Sequence, residues 1–168
     1  PRHHDLAAAL GDGQLTTDEL EPALNATLTR RPTIALAMGD PAGVSPELTA
    51  RVAALDDVRA AARLVVIGDK RVFDAGATVA GVTTGFMLIG VSDAIPPGEQ
   101  PVFVDLAHLD PATIERSVAT RAGGAFALAN YRHALQRVGR GEARAVCFTP
   151  FNKQAMRLAD GSYDDEIG

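Results

Sequence analysis

TIALAMGDPAGVSPE, residues 33–47, joins a short apolar run to a glycine- and proline-containing loop and then to the start of a helix. The run at 33–38 is short, partly β-branched and bounded by turn signals, which predicts a buried strand. Ser45 stands where a helix N-cap is expected, with Pro46 at the first helical position and a glutamate in the first turn. Residues 39–45 therefore form a tight strand-to-helix loop. Such loops bind ligands in open α/β sheets, although a plain structural connection fits the pattern equally well.

Length and composition set the broad class of the protein. The 168 residues fit one domain of common size or a piece of a larger protein, and the missing initiator methionine together with the polar ending favours a piece. The apolar fraction of 46% and the charged fraction of 22% are ordinary for a globular protein, so a core built mainly from Ala, Val and Leu is expected.

The net charge and the single cysteine limit which binding partners and which cellular compartment are expected. A formal net charge of −5 gives no reason to expect nucleic acid, because nucleic-acid recognition usually leaves a basic footprint. One cysteine, Cys147, excludes an internal disulfide and fits a reducing compartment, so we expect a cytoplasmic protein. The sequence contains no apolar run long enough to span a membrane.

Residues 1–30 differ from the rest of the chain and are interpreted as an N-terminal extension with no assigned role. The segment Thr16–Glu19 resembles a capping box ahead of a short leucine-spaced helix. His3 and His4 fit a solvated terminus better than a metal pair. We expect residues 31–168 to form the N-terminal part of an α/β domain.

Strands and helices alternate along residues 31–168. Further strands are predicted at 63–67, 86–89 and 102–104, and this alternation predicts an α/β sheet of unknown strand order. Helices are predicted at 46–55 and 122–138. Another helix is predicted between Asp69, which caps it, and Gly76, near which it stops. A further helical stretch starts at Asp110-Pro111. His108, Tyr131 and His133 fit surface or sheet-edge positions rather than catalytic ones.

A second strand-to-helix loop repeats the first design. The apolar run at 145–148 predicts a buried strand with Cys147 in the core, and the loop TPFNK at 149–153 and a short helix follow. The loop presents Thr149, Asn152 and Lys153 near a helix N-terminus, which favours anions. Because a lysine in the first turn opposes the helix dipole, we expect Lys153 to face a ligand, although a solvated surface position is the alternative.

Two motifs carry a family resemblance. MGDPAGVSPE at 38–47 resembles the signature G-[DE]-P-A-G-I-G-P-E of the 4-hydroxythreonine-4-phosphate dehydrogenase family of vitamin B6 synthesis, with Ser45 replacing a family glycine. TPFNK at 149–153 resembles the family's A-P-[ILV]-N-K, and the strand at 65–69 and the helix that starts at the glycine pair 123–124 also match. The resemblance covers roughly residues 33–166, since the two motifs occur in the right order.

The resemblance implies an α/β/α sandwich similar to the isocitrate/isopropylmalate dehydrogenase-like fold, incomplete in this chain, and a homodimer. It further implies a metal-assisted oxidation of a secondary hydroxyl on a small hydroxy acid, with NAD as the acceptor and loss of carbon dioxide. Asp40, Asn152 and Lys153 are the implied substrate-binding residues. The family's metal histidines and NAD-contacting residues lie downstream, so no metal or NAD ligand is expected in this chain and the isolated chain should be inactive. Alternatives are a non-catalytic ligand-binding relative and phosphate acyl transfer.

One departure from the family concerns the substrate. Where the family reads G-H-T-E, this chain has Asp164 and Asp165 ahead of Glu166. Two carboxylates repel a phosphate, which predicts a substrate whose hydroxyls or amine donate to them. An exposed acidic turn is the alternative interpretation.

Overall fold

The computed structural model describes residues 31–162. The predictions for residues 1–30, Asp164 and Asp165 lie outside this range. The strands are β1 (Thr33–Ala37), β2 (Arg63–Gly68), β3 (Met87–Gly90), β4 (Val102–Asp105) and β5 (Ala145–Phe148). The helices are α1 (Ser45–Ala54), α2 (Asp56–Ala61), α3 (Lys70–Ala80), α4 (Arg121–Gly139) and α5 (Lys153–Ala159), with a 3-10 turn at Pro111–Thr113. Within residues 31–162, no helix is both long enough and apolar enough to cross a membrane.

The five strands form one parallel sheet in the order β3-β4-β2-β1-β5. The apolar runs of β1 and β2 lie at its centre, as expected for strands that are covered on both faces. One face, which includes Leu36 and Phe103, packs against α1 and α3. The other face, which includes Ala35 and Val104, packs against α4, and α5 packs on α4. The predicted α/β/α sandwich is confirmed.

Helix α3 is longer than the sequence predicts. It passes through Gly76 and ends at Ala80, followed by Gly81 in the left-handed conformation with a φ of 67°. Gly76 is needed inside the helix because a Cβ atom there would lie 2.5 Å from Pro46 of α1. The prediction of a helix end near Gly76 is therefore wrong, since this glycine permits helix packing rather than termination. The helical stretch predicted from Asp110 is a single 3-10 turn capped by that aspartate.

Strand β5 lies at one edge of the described sheet and pairs there with β1. Cys147 is consequently exposed, so the prediction that it lies in the core is wrong. The apolar run itself is confirmed as a strand. Its burial could not follow from the pattern alone, because an apolar run does not show how many neighbours a strand has.

Two arginines fix the proline-rich loop between β3 and β4 at the amino end of the sheet. Arg63 is almost fully buried and donates to the main-chain oxygens of Gln100 at 2.8 Å and Pro96 at 2.9 Å. Arg31 donates to the main-chain oxygen of Glu99 at 3.2 Å and to its carboxylate at 2.9 Å. The loop is therefore fastened mainly through its backbone.

Candidate functional site

The loops that follow β1 and β5 leave the sheet in opposite directions. The β1 loop leads to α1 on one face, whereas the β5 loop leads to α5, which packs on α4 at the other face. Because β1 and β5 are neighbours and their following helices lie on opposite faces, the carboxyl ends of these two strands form a topological switch point, and the region outside these strand ends is referred to below as the crevice. Ligands bind at such topological switch points in open α/β sheets. Both family motifs of this chain lie here.

A buried cluster of hydroxyls joins the two loops beneath the crevice. The Gly39 N–H donates to Ser45 Oγ at 2.7 Å and to Thr149 Oγ1 at 3.1 Å, and these two hydroxyls are themselves in hydrogen-bond contact. Thr49 Oγ1 lies 3.0 Å from Thr149 Oγ1 and donates to the Ser45 carbonyl at 2.8 Å. Every residue of the cluster is buried.

This cluster corrects two predictions. Ser45 is the first residue of α1 rather than its N-cap, which is Val44 and makes no side-chain capping bond. The Ser45 hydroxyl bonds the Gly39 N–H instead. Thr149 is 4% exposed, so its hydroxyl connects the two loops and is not presented to a ligand.

Asp40 and Asn152 meet above the cluster. Asn152 Nδ2 donates to Asp40 Oδ2 at 3.2 Å, while Asp40 Oδ1 accepts from the Ala42 N–H at 3.0 Å. The Asp40 N–H also donates to the Pro150 carbonyl at 2.9 Å. The Asn152 side-chain oxygen accepts from the Ala155 N–H at 3.1 Å and so caps α5. Two of the predicted site residues are therefore brought into direct contact, although they lie 112 positions apart.

Lys153 is exposed as the first residue of α5, directly after the capping Asn152. Lys70, the other lysine of the chain, occupies the equivalent place at the start of α3 after the capping Asp69. Lys70 forms an ion pair with Asp74, one helical turn along. The corresponding position after Lys153 holds Arg157. The two lysines thus occupy equivalent positions at the starts of their helices, although the residue one turn along differs.

A glycine pair in α4 lets this helix approach the site closely. A Cβ atom on Gly123 would lie 3.7 Å from Asp40 Oδ1, and one on Gly124 would lie 1.9 Å from the Ala155 carbonyl oxygen. A Cβ atom at the first position would make ordinary contact with the Asp40 carboxylate, whereas the second glycine is needed for α4 to contact the α5 backbone. The sequence signal for this close packing was a pair of glycines within a helical pattern, but such a pattern does not indicate which segment packs against them.

The neighbouring loops after β2 and β4 hold each other through two aspartates. Asp69 Oδ2 accepts from the Leu109 N–H at 2.9 Å, and Asp105 Oδ1 accepts from the Lys70 N–H at 3.0 Å. Burial raises the pKa of Asp69, but hydrogen bonds from the Arg71 side chain and from two backbone N–H groups outweigh it and lower the pKa to about 2. Asp69 therefore stays ionised at neutral pH. Its capping role was predicted, whereas the role of Asp105 was missed.

His108 lies in the loop after β4 and stacks on Phe126 of α4, with ring centroids 4.7 Å apart. Ala107 before it has a φ of 46°, an uncommon conformation for alanine, and its N–H donates to Asp105 Oδ1 at 3.0 Å. Partial burial is the main cause that lowers the pKa of His108 below its ordinary value. His108 thus packs on α4 through its ring.

Within residues 31–162, no group of three or more His, Cys, Asp or Glu side chains is arranged to hold a metal ion. The described residues therefore do not supply a metal-ligand set.

The sequence has a relative from Rhizobium meliloti (strain 1021), provisionally named 4-hydroxythreonine-4-phosphate dehydrogenase 2, with 58% identity over 142 residues. This chain belongs to the 4-hydroxythreonine-4-phosphate dehydrogenase family. The match covers 84% of the chain but 41% of the relative, so the chain spans less than half the length of the family protein it matches. The resemblance stated from the two motifs is confirmed. No protein-family model matches the chain.

Solved structures show the same fold over the matched part of the chain. A 4-hydroxythreonine-4-phosphate dehydrogenase from Burkholderia phymatum superposes with a TM-score of 0.71 over 83% of this chain and 42% of its own, at 23% identity. That identity supports the fold alone. A terephthalate 1,2-cis-dihydrodiol dehydrogenase from Burkholderia xenovorans LB400 gives a TM-score of 0.61 at 28% identity over 80% of this chain and 38% of its own. The predicted isocitrate dehydrogenase-like fold is confirmed for the matched part.

Proposed function

We propose that the complete protein is a cytoplasmic, homodimeric, NAD-dependent and metal-assisted dehydrogenase that oxidises a secondary hydroxyl of a small hydroxy acid. The observation that supports this function is the hydrogen bond between Asp40 and Asn152. It joins the two family motifs at the switch point between β1 and β5, where ligands bind in such sheets. Within this proposal, the present chain supplies the part of the active site that holds the substrate.

When bound, the metal would polarise the hydroxyl oxygen and NAD would accept the hydride. The described residues do not form a metal-ligand set, so their part in the reaction is to bind and orient the substrate. We expect both ligand sets in the part of the family polypeptide that this chain does not span. On this proposal the isolated chain is inactive and binds NAD poorly. Micromolar NAD binding by residues 1–168 in calorimetry would contradict this placement of the NAD site.

The crevice offers groups of opposite character to a hydroxy acid. Asp40 presents a carboxylate, which when ionised can only accept hydrogen bonds, and Asn152 holds one of its oxygens in place. A substrate hydroxyl can donate to this carboxylate. Lys153 carries a positive charge at the same edge of the sheet and suits a substrate carboxylate or phosphate. Asp40 and Lys153 would thus orient a molecule that has a donor at one end and an anion at the other.

The kinetic test compares the two lysines in the complete protein. Lys153→Ala should lower kcat/KM by roughly tenfold or more, the scale of one lost charged hydrogen bond. Lys70→Ala is the matched control because it removes the same side chain from the same helical position at another loop. It should leave kcat/KM within about twofold, since a surface ion pair contributes little. Equal effects of both substitutions would remove Lys153 from the proposed site.

The substrate is proposed to carry more hydrogen-bond donors than the family's standard one, because Asp164 and Asp165 replace a histidine and a threonine. Both aspartates, when ionised, accept and do not donate. The similar structure from Burkholderia xenovorans is named for a dihydrodiol, whereas the Rhizobium meliloti relative is named for a phosphorylated substrate. We therefore expect unphosphorylated polyhydroxy acids to give a higher kcat/KM than 4-phosphohydroxythreonine.

This preference is tested by measuring kcat/KM for phosphorylated and unphosphorylated hydroxy acids. Replacing the pair, Asp164→His with Asp165→Thr, should move the preference back towards the phosphorylated compound, because the carboxylates supply the repulsion. If 4-phosphohydroxythreonine is already the best substrate of the unaltered protein, the specificity proposal fails while the dehydrogenase proposal stands. A complete protein that binds a hydroxy acid without oxidising it would instead be a non-catalytic binding relative.

A further inference from the structure

The direction of each hydrogen bond in the hydroxyl cluster of Ser45, Thr49 and Thr149 follows from counting protons. A hydroxyl has one proton to donate, while its oxygen can also accept. Thr49 donates to the Ser45 carbonyl at 2.8 Å, which uses its only proton because a carbonyl oxygen can only accept. In the 3.0 Å contact between Thr49 and Thr149, Thr149 is therefore the donor. Its proton is then used as well, so Ser45 donates to Thr149 where their hydroxyls meet.

The hydroxyl cluster therefore has one fixed arrangement of its protons. Hydrogen bonds lead from Ser45 to Thr149, from Thr149 to Thr49, and from Thr49 back to the Ser45 carbonyl. Each of the three protons is used inside the cluster, and all three residues are buried. The cluster has no proton left for a substrate, so any part it has in the reaction comes from the position of the loops that it joins.

Asp40 and the residue before it are hydrogen-bonded to the β5 loop. The Gly39 N–H donates to Thr149 Oγ1 at 3.1 Å, and the Asp40 N–H donates to the Pro150 carbonyl at 2.9 Å. The Asp40 carboxylate accepts from Asn152 Nδ2 at 3.2 Å. A Cβ atom on Gly39 would lie 2.3 Å from the carbonyl oxygens of Thr149 and Pro150, so the two backbones are in direct contact. A displacement at Thr149 is thus passed on to Asp40.

The Thr149 hydroxyl contributes more to this connection than the Ser45 hydroxyl. Without the Thr149 oxygen, the Gly39 N–H keeps its 2.7 Å bond to Ser45 Oγ, but that bond lies within the β1 loop and the helix that follows. Without the Ser45 oxygen, the Gly39 N–H keeps its 3.1 Å bond to Thr149 Oγ1, which still joins the two loops. Loss of the Thr149 hydroxyl should therefore disturb Asp40 more than loss of the Ser45 hydroxyl.

Both hydroxyls are departures from the two family motifs. Ser45 stands where the motif G-[DE]-P-A-G-I-G-P-E has glycine, and Thr149 stands where A-P-[ILV]-N-K has alanine. Glycine and alanine carry no hydroxyl, so the two departures meet in a hydrogen bond that the motif residues cannot form. The contact between Ser45 and Thr149 is therefore a property of this chain rather than of the motifs.

We propose that Ser45 and Thr149 are positioning residues for the Asp40 carboxylate. The hydroxyl cluster fixes the separation of the β1 and β5 loops, and it thereby keeps Asp40 against Asn152 in the orientation that receives a substrate hydroxyl. The hydroxyls themselves lie beneath the crevice and do not contact the substrate. This inference rests on the proposed function, because it extends the role that Asp40 has in substrate binding.

The first experiment measures kcat/KM of hydroxyl variants in the complete protein. Thr149→Val should lower kcat/KM by about tenfold, since a small misplacement of an orienting group is enough for such a loss. Ser45→Ala should lower it by about threefold. Thr149→Ser keeps the oxygen and should stay within about twofold of the unaltered protein. Thr78→Val, which removes an exposed hydroxyl on α3, should leave kcat/KM unchanged.

A double-mutant cycle with Asp40→Asn separates positioning from a general structural effect. Asp40→Asn keeps the size of the side chain but removes its charge, and it should itself lower kcat/KM by about tenfold or more. If Thr149 acts through Asp40, adding Thr149→Val to this variant should change kcat/KM by less than about twofold, while the urea midpoint still falls. A tenfold loss from Thr149→Val in both backgrounds would overturn the proposal.

Crystal structures give a readout that needs no turnover. In Thr149→Val, the separation of Asn152 Nδ2 and Asp40 Oδ2 should increase from 3.2 Å to beyond about 3.5 Å, whereas Thr149→Ser should keep the hydrogen bond. An unchanged separation in Thr149→Val would overturn the positioning role. If Asp40→Asn lowers kcat/KM but Thr149→Val does not, this inference fails and the proposed function stands. If Asp40→Asn has no effect on kcat/KM, the substrate-binding role of Asp40 fails together with this inference.

Discussion

Thr149→Val tests whether the hydroxyl cluster beneath the crevice stabilises the fold. The substitution keeps the β-branched shape and nearly the same volume, so it creates no cavity, but it removes the Oγ1 atom. That atom contacts the Gly39 N–H at 3.1 Å, Thr49 Oγ1 at 3.0 Å and the Ser45 hydroxyl. The substitution therefore isolates the contribution of hydrogen bonding at a site that is 4% exposed.

The expected loss of stability follows from the hydrogen bonds that each partner of Thr149 Oγ1 keeps after the substitution. Without Thr149 Oγ1, the Gly39 N–H still donates to Ser45 Oγ at 2.7 Å, and Thr49 still donates to the Ser45 carbonyl at 2.8 Å. No partner is left without any hydrogen bond, so the large penalty for an orphaned buried group does not apply. Two to three contacts at about 1 kcal/mol each give an expected loss of about 2 kcal/mol in the free energy of unfolding.

The assay is equilibrium unfolding in urea, with the m-value monitored so that a change in midpoint reports a change in stability. Thr78→Val is the matched control, because the Thr78 hydroxyl is exposed and donates to the Asp74 carbonyl one helical turn earlier. The control should lie within about 0.5 kcal/mol of the unaltered protein. If Thr149→Val and Thr78→Val have the same small effect, the cluster does not stabilise the connection between the two loops.

Two further predictions concern Asp69 and the glycines of α4. The pKa of Asp69 falls from 3.8 to about 2 on folding, so its carboxylate stabilises the fold above about pH 4 and loses this effect as the pH falls towards 2. The shift corresponds to about 2 kcal/mol, and Asp69→Asn should remove this part of the acid dependence in urea titrations at several pH values. Gly124→Ala should destabilise by more than about 2 kcal/mol, since its Cβ atom would lie 1.9 Å from the Ala155 carbonyl oxygen. Gly139→Ala, in the last turn of the same helix with nothing within 4 Å, should be neutral or stabilise slightly in the same assay.

The sequence predicted elements well where the local pattern and the tertiary environment agree. The apolar runs of β1 and β2 are buried on both faces, as their composition indicates. Asp69 caps α3 because an aspartate directly before a helix can bond the first free N–H groups whatever surrounds it. The placement of two motif loops at carboxyl ends of parallel strands likewise needed only the strand and helix pattern.

The errors arise where a distant segment changes the role of a residue. Ser45 has the sequence context of a cap, but Thr149 and the Gly39 N–H recruit its hydroxyl into the core. Gly76 has the context of a helix end, but Pro46 of another helix packs against it. Cys147 lies in an apolar run whose neighbours on one side are set by sheet order. None of these partners is adjacent in sequence, so a local pattern cannot reveal them.

The two arginines at the amino end of the sheet have a consequence for how the loop between β3 and β4 can change in evolution. Arg63 and Arg31 reach carbonyl oxygens of Pro96, Gln100 and Glu99, and every amino acid carries such an oxygen. The side chains of residues 96–100 can therefore be exchanged while the same guanidinium groups keep the loop in position. Substitutions should thus accumulate in this loop among orthologues faster than at Arg63, whose replacement would remove the hydrogen bonds to Pro96 and Gln100 together.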